Sequence, residues 1–138
     1  MKDAIVITVP SHPKFLSVVR AVTVTAVRLY EIDDTTAEEI KLAIDEACTN
    51  IIKHAYRGDT SGKIVLKYSA GREAFKVVID DNGLKARPES IRGRSFDDVR
   101  PGGLGIHFIK RVFDIYKFDA KKKRGNRLTL IKYFERKK

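Results

Sequence analysis

The stretch between Thr35 and Gly58 most restricts how this chain can fold. Ile40, Ile44, Ala47, Ile51 and Ala55 recur at helical spacing, and Gly58 ends the run. Thr35-x-x-Glu38 and Thr36-x-x-Glu39 both match a capping box. The spacing predicts a helix with one apolar stripe, and such a stripe must be covered. A surface able to cover it follows at once. Ile64, Leu66 and Tyr68 alternate, then Phe75, Val77 and Ile79, with Ala70-Gly71 in the turn between, which predicts a β-hairpin.

The other elements are read around this centre. Residues 4–9 alternate as a strand with Ile5, Ile7 and Val9 on one side, and Pro10 and Pro13 punctuate the loop after it. Residues 14–30 predict a helix with Phe15, Val18, Val22 and Leu29 near one stripe, although their β-branched richness suits a strand too. Residues 104–118 predict a third helix with Ile109, Val112, Phe113 and Tyr116 inward, and Leu128 to Phe134 a last strand. Residues 84–101, with Pro88, Gly93 and Pro101, predict a long loop, and loops of that length in compact domains are usually functional or disordered. The expected architecture is one α/β domain over 1–138, with helices on one face of a mixed, mostly antiparallel sheet.

A chain of 138 residues is long enough for one real core. No apolar run approaches the roughly 20 residues that cross a bilayer, and the N-terminus reads as a strand rather than a signal peptide. The lone Cys48 fits a reducing cytoplasm and packing as a small apolar residue. Without cysteine partners or a His cluster, a structural zinc site is not expected. Residues 1–60 carry 7 Lys/Arg against 9 Asp/Glu, whereas residues 61–138 carry 21 against 9, so the second half is strongly basic. That asymmetry suggests an anionic partner such as nucleotide phosphates, an acidic protein or nucleic acid; a solvated basic surface is the alternative.

Three groups of residues carry chemistry. Glu46 and Asn50, at i and i+4, point the same way from the predicted helix at the edge of its apolar stripe. The carboxylate can take a proton from a hydroxyl, and the amide can offer its carbonyl oxygen to a hard cation such as Mg²⁺. A solvated helix flank is the alternative reading. Asp81-Asn82-Gly83 ends an apolar strand, where an Asp can accept a hydrogen bond from an exocyclic amine such as adenine's, and an Asn-Gly turn is the plainer account. Gly102-Gly103-Leu104-Gly105 opens a helix with unobstructed N–H groups suited to phosphate; it also reads as a flexible helix entry. No Walker motif is present.

In this order, Glu46-x-x-x-Asn50 with His54-Ala-Tyr56, then Asp81-x-Gly83, then Gly103-x-Gly105 with Ile109-Lys-Arg111, and finally Gly125-Asn-Arg-Leu-Thr-Leu130, resemble the N, G1 and G2 boxes of the GHKL (Bergerat-fold) ATPases. Within them the chain is most similar to the small bacterial anti-sigma-factor serine kinases, along nearly its whole length. The resemblance implies ATP and Mg²⁺ held between the second helix and a lid at 84–101. It implies Asn50 on Mg²⁺, Glu46 as general base toward a partner's serine, and Asp81 on the adenine amine with Gly83 giving room. Gly103, Leu104 and Gly105 would lie on the phosphates. It also implies a sigma factor and a STAS-type anti-sigma-factor antagonist as partners, a homodimer, and Arg20 as a partner contact.

The family's G1 box ends in glycine where this chain has Lys85, which either crowds the nucleotide or adds a phosphate contact. Lys85, Arg92, Arg94 and Arg100 are candidates for positive charge at the phosphates. His54 is expected as a packed residue at the core's edge and Thr129 as a sheet-face residue; His12 and His107 have no obvious acid or metal partner. The leading reading is an ATP-dependent serine kinase and anti-sigma factor. A nucleotide-gated binding module without kinase activity is the alternative. Membrane binding and sequence-specific nucleic-acid binding are not expected, since neither an RNA-recognition pattern nor a helix-turn-helix is visible.

Overall fold

The computed structural model describes residues 3–85, 101–119 and 121–135. β1 (Ala4–Pro10) leads through a 3₁₀ turn, Pro13–Phe15, into α1 (Leu16–Leu29). Next come α2 (Asp34–Asn50), β2 (Lys63–Ala70) and β3 (Ala74–Asp81). α3 (Pro101–Val112), β4 (Ile115–Asp119) and β5 (Asn126–Tyr133) complete the described elements.

The five strands lie in the order β1-β2-β3-β5-β4, and every pairing is antiparallel rather than mixed. β5 returns between β3 and β4, so the strand entered from α3 becomes the sheet's edge. Alternate strand residues point into one apolar layer. Ile64, Leu66 and Tyr68 of β2, Phe75, Val77 and Ile79 of β3, and Leu130 of β5 are fully buried there against Val19, Val27, Ile40, Ile44 and Ile109. Tyr68 brings a hydroxyl into this layer, where it hydrogen-bonds Thr23 Oγ1 of α1 at 2.7 Å; burying a phenol unpaired would be costly. The opposite face of the sheet carries Val6, Lys67, Lys117 and Arg127, all exposed.

Four further expectations are corrected. α1 buries Leu16, Val19, Thr23, Ala26 and Val27, while Val18 and Leu29 are exposed. Nearly every position of α1 is apolar or small, so periodicity allowed more than one stripe, and packing on the sheet selected one rotated by a residue. α2 is capped by Asp33, not by a Thr box: Asp33 accepts from Thr36 N and Thr36 Oγ1, both at 2.8 Å. The third helix stops at Val112, and 115–119 is a strand. Its stop is tertiary: Asp114 N donates to Ile131 O, and Asp114 Oδ2 accepts from Tyr133 N at 2.7 Å. Tyr116 is therefore a strand residue, while Ile109, Val112 and Phe113 are buried as expected. Finally, Pro101 begins α3, so Gly102–Gly105 lie within its first turns instead of in a loop before it.

Candidate functional site

α2 does not end cleanly. Ile51–Ala55 continues it as one π-helical turn, with Tyr56 N bonding Ile51 O at 3.0 Å. Such turns often mark functional positions. Asn50 sits at the junction, and the wider turn points Ala55 O sideways, where it accepts from Leu84 N at 2.8 Å. Gly83 lies flat on this carbonyl: a Cβ there would come within 2.6 Å of Ala55 O, which is backbone and cannot yield. The end of α2 and the turn after β3 are thereby fused.

Between them opens a cavity of about 210 Å³, lined by Asn50, His54, Asp81, Leu84, Phe118 and Asn126, with Lys53, Arg57 and Lys85 at its edge. A smaller adjoining cavity of about 70 Å³ shares Asn50, Asp81, Phe118 and Asn126 and reaches Ile106 of α3. A space of this size, with apolar walls and a few convergent polar groups, suits a small organic ligand.

Asp81 is its chemical centre. It continues the inward row Phe75, Val77, Ile79 and is 4% exposed, while neighbouring Asp80 faces outward to Arg127 Nε at 2.8 Å and Lys122 Nζ at 3.4 Å. Asp81 Oδ1 accepts from Gly83 N at 2.9 Å and from Asn126 Nδ2 at 3.0 Å. Burial raises the Asp81 pKa above the usual carboxylate value, against the pull of these bonds and of the Lys122 charge. A buried carboxylate held in this way is a rigid acceptor. Asn126, 3% exposed, also donates to Leu84 O at 2.9 Å. Sequence reasoning gave Asn126 no role of its own, and its place in the closing stretch Gly125-Asn-Arg-Leu-Thr-Leu130 was the signal for it.

Glu46 and Asn50 are both half-buried, on neighbouring turns of α2. Asn50 lines both cavities; Glu46 lines neither. Glu46 instead meets α3. A Cβ on Gly105 would overlap Glu46 Oε1, so glycine at 105 is what lets the carboxylate lie against that helix. Gly103 and Leu104 are in the first turn of α3, whose leading N–H groups have no partner within the helix. Asn50 and Asp81 thus share one cavity wall, Gly83 lines neither cavity but packs on Ala55 O next to that wall, and Glu46 and Gly105 touch beside it.

The remaining candidates are placed as follows. His54 is exposed at the cavity's edge, not packed at the core, because the π-helical turn rotates it outward. Lys85 Nζ donates to Lys122 O at 2.5 Å, which joins the strand-end turn to the β4–β5 connection. Arg20 is engaged within the chain, Nη1 to Asp45 Oδ1 at 2.7 Å. Thr129 is a sheet-face residue beside Val78, on the side away from the helices. His12 Nδ1 accepts from Lys14 N, and His107 is exposed. Cys48 is fully buried, which pushes its thiol pKa up to about 12. Arg92, Arg94, Arg100 and most of the expected lid at 84–101 lie outside the described residues.

Among the described residues no group of three or more His, Cys, Asp or Glu side chains could hold a metal. Asn50 supplies one hard oxygen donor, which fits a magnesium ion that arrives with phosphates and keeps its waters.

The sequence profile of the histidine kinase-like ATPase domain matches residues 9–132. The chain belongs to this family. Among its relatives, the serine-protein kinase RsbW of Halalkalibacterium halodurans is 32% identical over 97% of this chain and 85% of its own length. The protein of that name from Listeria innocua is 30% identical, over 85% and 80%. The family member from Bacillus subtilis, also called serine-protein kinase RsbW, is 26% identical, over 81% and 75%. A Mycobacterium tuberculosis structure containing RsbU and RsbW domains superposes with a TM-score of 0.69 at 20% identity, over 95% of this chain and 32% of the other. At that identity the likeness concerns the fold. Among the described residues, no helix is long and apolar enough to cross a membrane.

Proposed function

We propose that this family member is an ATP-dependent protein serine kinase that also acts as an anti-sigma factor. The observation that carries the reading is the placement of Asn50 and Asp81 on one cavity with Glu46 packed on Gly105 beside it. In this reading the adenine amine donates to Asp81, Leu84 and Phe118 cover the base, and Asn50 offers its amide oxygen to Mg²⁺. The metal, when bound, neutralises phosphate charge. Glu46 takes the proton of a partner's serine hydroxyl as that oxygen bonds to the γ-phosphorus, and the bond from γ-phosphorus to the bridging oxygen breaks to release ADP. Gly103, Leu104 and Gly105 lie against the phosphates at the positive end of α3.

The serine-protein kinase names of the relatives support a serine-bearing protein as substrate; a STAS-type antagonist as that substrate and a sigma factor as the sequestered partner are the finer part of this proposal. A homodimer is part of the same proposal, as is Arg20 as a partner contact. In binding a partner, Arg20 would exchange Asp45 for a partner's acid, at small net cost because the pair is partly exposed.

The test is incubation with ATP, Mg²⁺ and the chain's candidate antagonist, with phosphoserine read by mass spectrometry. Transfer that Glu46→Gln abolishes is the expected result, and no transfer to any cognate antagonist overturns the kinase reading. One observation favours a second reading, a nucleotide-gated binding module: Glu46 lines neither cavity. A Glu46→Gln protein whose partner affinity still responds to ATP as the wild type does, with no transfer by either protein, would establish that alternative.

A further inference from the structure

We infer that Tyr56 is a positioning residue for base recognition, its phenol hydroxyl fixing the turn that aims Asp81 at the ligand. This rests on the reading of the cavity as an ATP site. Tyr56 follows the π-helical turn directly. Its hydroxyl donates to Lys63 O at 2.5 Å and accepts from Asn82 N at 2.8 Å. The β3 ladder ends at Asp81, paired with Ile64 and Asn126, so the Asn82 N–H has left the sheet and needs a new acceptor. Tyr56 supplies it.

Three consecutive N–H groups are then held by three different partners: Asn82 by Tyr56, Gly83 by Asp81 Oδ1, and Leu84 by Ala55 O. The middle bond orients the Asp81 carboxylate together with the donation from Asn126 Nδ2, and the outer two fix the peptide that makes it. The Tyr56 ring is seated on Gly62, where any Cβ would overlap the ring's Cε1 and Cδ1. The hydroxyl therefore ties the end of α2, the start of β2 and the turn after β3 into one frame. Tyr56 lines neither cavity beside Asp81, so its effect on a ligand there must pass through this turn.

The test is titration calorimetry of wild type and Tyr56→Phe with Mg·ATP and Mg·ITP. Inosine triphosphate carries a carbonyl where ATP has its 6-amine, so it lacks the donor that Asp81 reads. Wild type should prefer ATP. Tyr56→Phe keeps the ring on Gly62, and its ATP affinity should fall about tenfold, the scale of one lost hydrogen bond. Its ITP affinity should move less than about twofold. General damage to the fold would lower both nucleotides together, and that result overturns the inference, as does unchanged ATP affinity. Gly62→Ala displaces the same ring without deleting the hydroxyl. It should show the same selective loss, and it carries the test alone if Tyr56→Phe does not fold. Wild-type protein that binds neither nucleotide, or both equally, overturns the ATP reading itself and this inference with it.

Discussion

The two ends of the site are built by opposite means. Around Asp81 the chain uses hydrogen bonds: Asn126 donates to the carboxylate, and Tyr56 Oη, Asp81 Oδ1 and Ala55 O accept from the three consecutive N–H groups of the turn. Around Glu46 it uses an omission, the missing side chain of Gly105. The first end is preorganised, as recognition of a fixed group requires. The second leaves its carboxylate to be placed by how closely α3 approaches α2. Recognition and chemistry should therefore fail separately when mutated.

Gly105→Ala tests that separation most severely. The new methyl meets the far end of a flexible side chain, so the fold should survive with Tm shifted by only about 2 °C. Glu46 must swing away, and phosphoserine formation at saturating ATP should fall about 100-fold, with ATP affinity within about threefold of wild type. Equal loss of binding and transfer would break the comparison.

Asp81→Asn is the reciprocal case. Calorimetry should show ATP affinity reduced between about 10- and 100-fold, because a charged acceptor is lost. Stability should move the other way. The folded-state pKa of Asp81 is raised by burial, so the fold favours its neutral form, and the cost of the charge is felt as pH rises through that pKa. Asp81→Asn should thus melt no lower than wild type at pH 7, and any gain should vanish as pH falls below the ordinary carboxylate range. A lower melting temperature at pH 7 would mean that the hydrogen bonds outweigh burial.

Asn126→Ala sharpens the picture of the rigid end. It removes donors from Asp81 and from Leu84 O in a buried place, and should cost about 1–3 kcal/mol, a Tm fall of roughly 3–10 °C. The smallest effect is expected of Lys85→Gly, which restores the family's residue. At the cavity's edge Lys85 Nζ is held by Lys122 O, so its removal should change ATP affinity by less than about threefold, checked by the same titration.

What could be read beforehand follows the same division. Asp81 was legible because period-two alternation carries the inward row of β3 onto it. Helical phase placed Asn50 and Glu46 at the edge of the apolar stripe, and their place in the family's boxes, like that of Gly83 and Gly105, made them candidates. The hidden parts depend on contacts far along the chain. β4 reads as more of α3 because no Gly or Pro separates them, and it is the bonds from Asp114 to β5 and the pairing of 115–119 with β5 that end the helix. Asn126 is an ordinary polar residue until β5 sets it beside β3. His54 pointed inward for any regular helix and points outward only because the turn is wider.

That single widened turn also constrains how the chain can change length. Five residues, Ile51–Ala55, occupy what a regular helix would complete with fewer. Dropping one would let α2 run on as ordinary helix, which would close the wide turn and draw the sideways carbonyl of Ala55 back toward the helix axis. Tyr56 would leave Asn82, and Ala55 O would leave Leu84. Substitutions can be absorbed here one at a time, but the residue count cannot vary, and a homologue shortened within 51–55 would have to rebuild the far wall of its pocket from other parts.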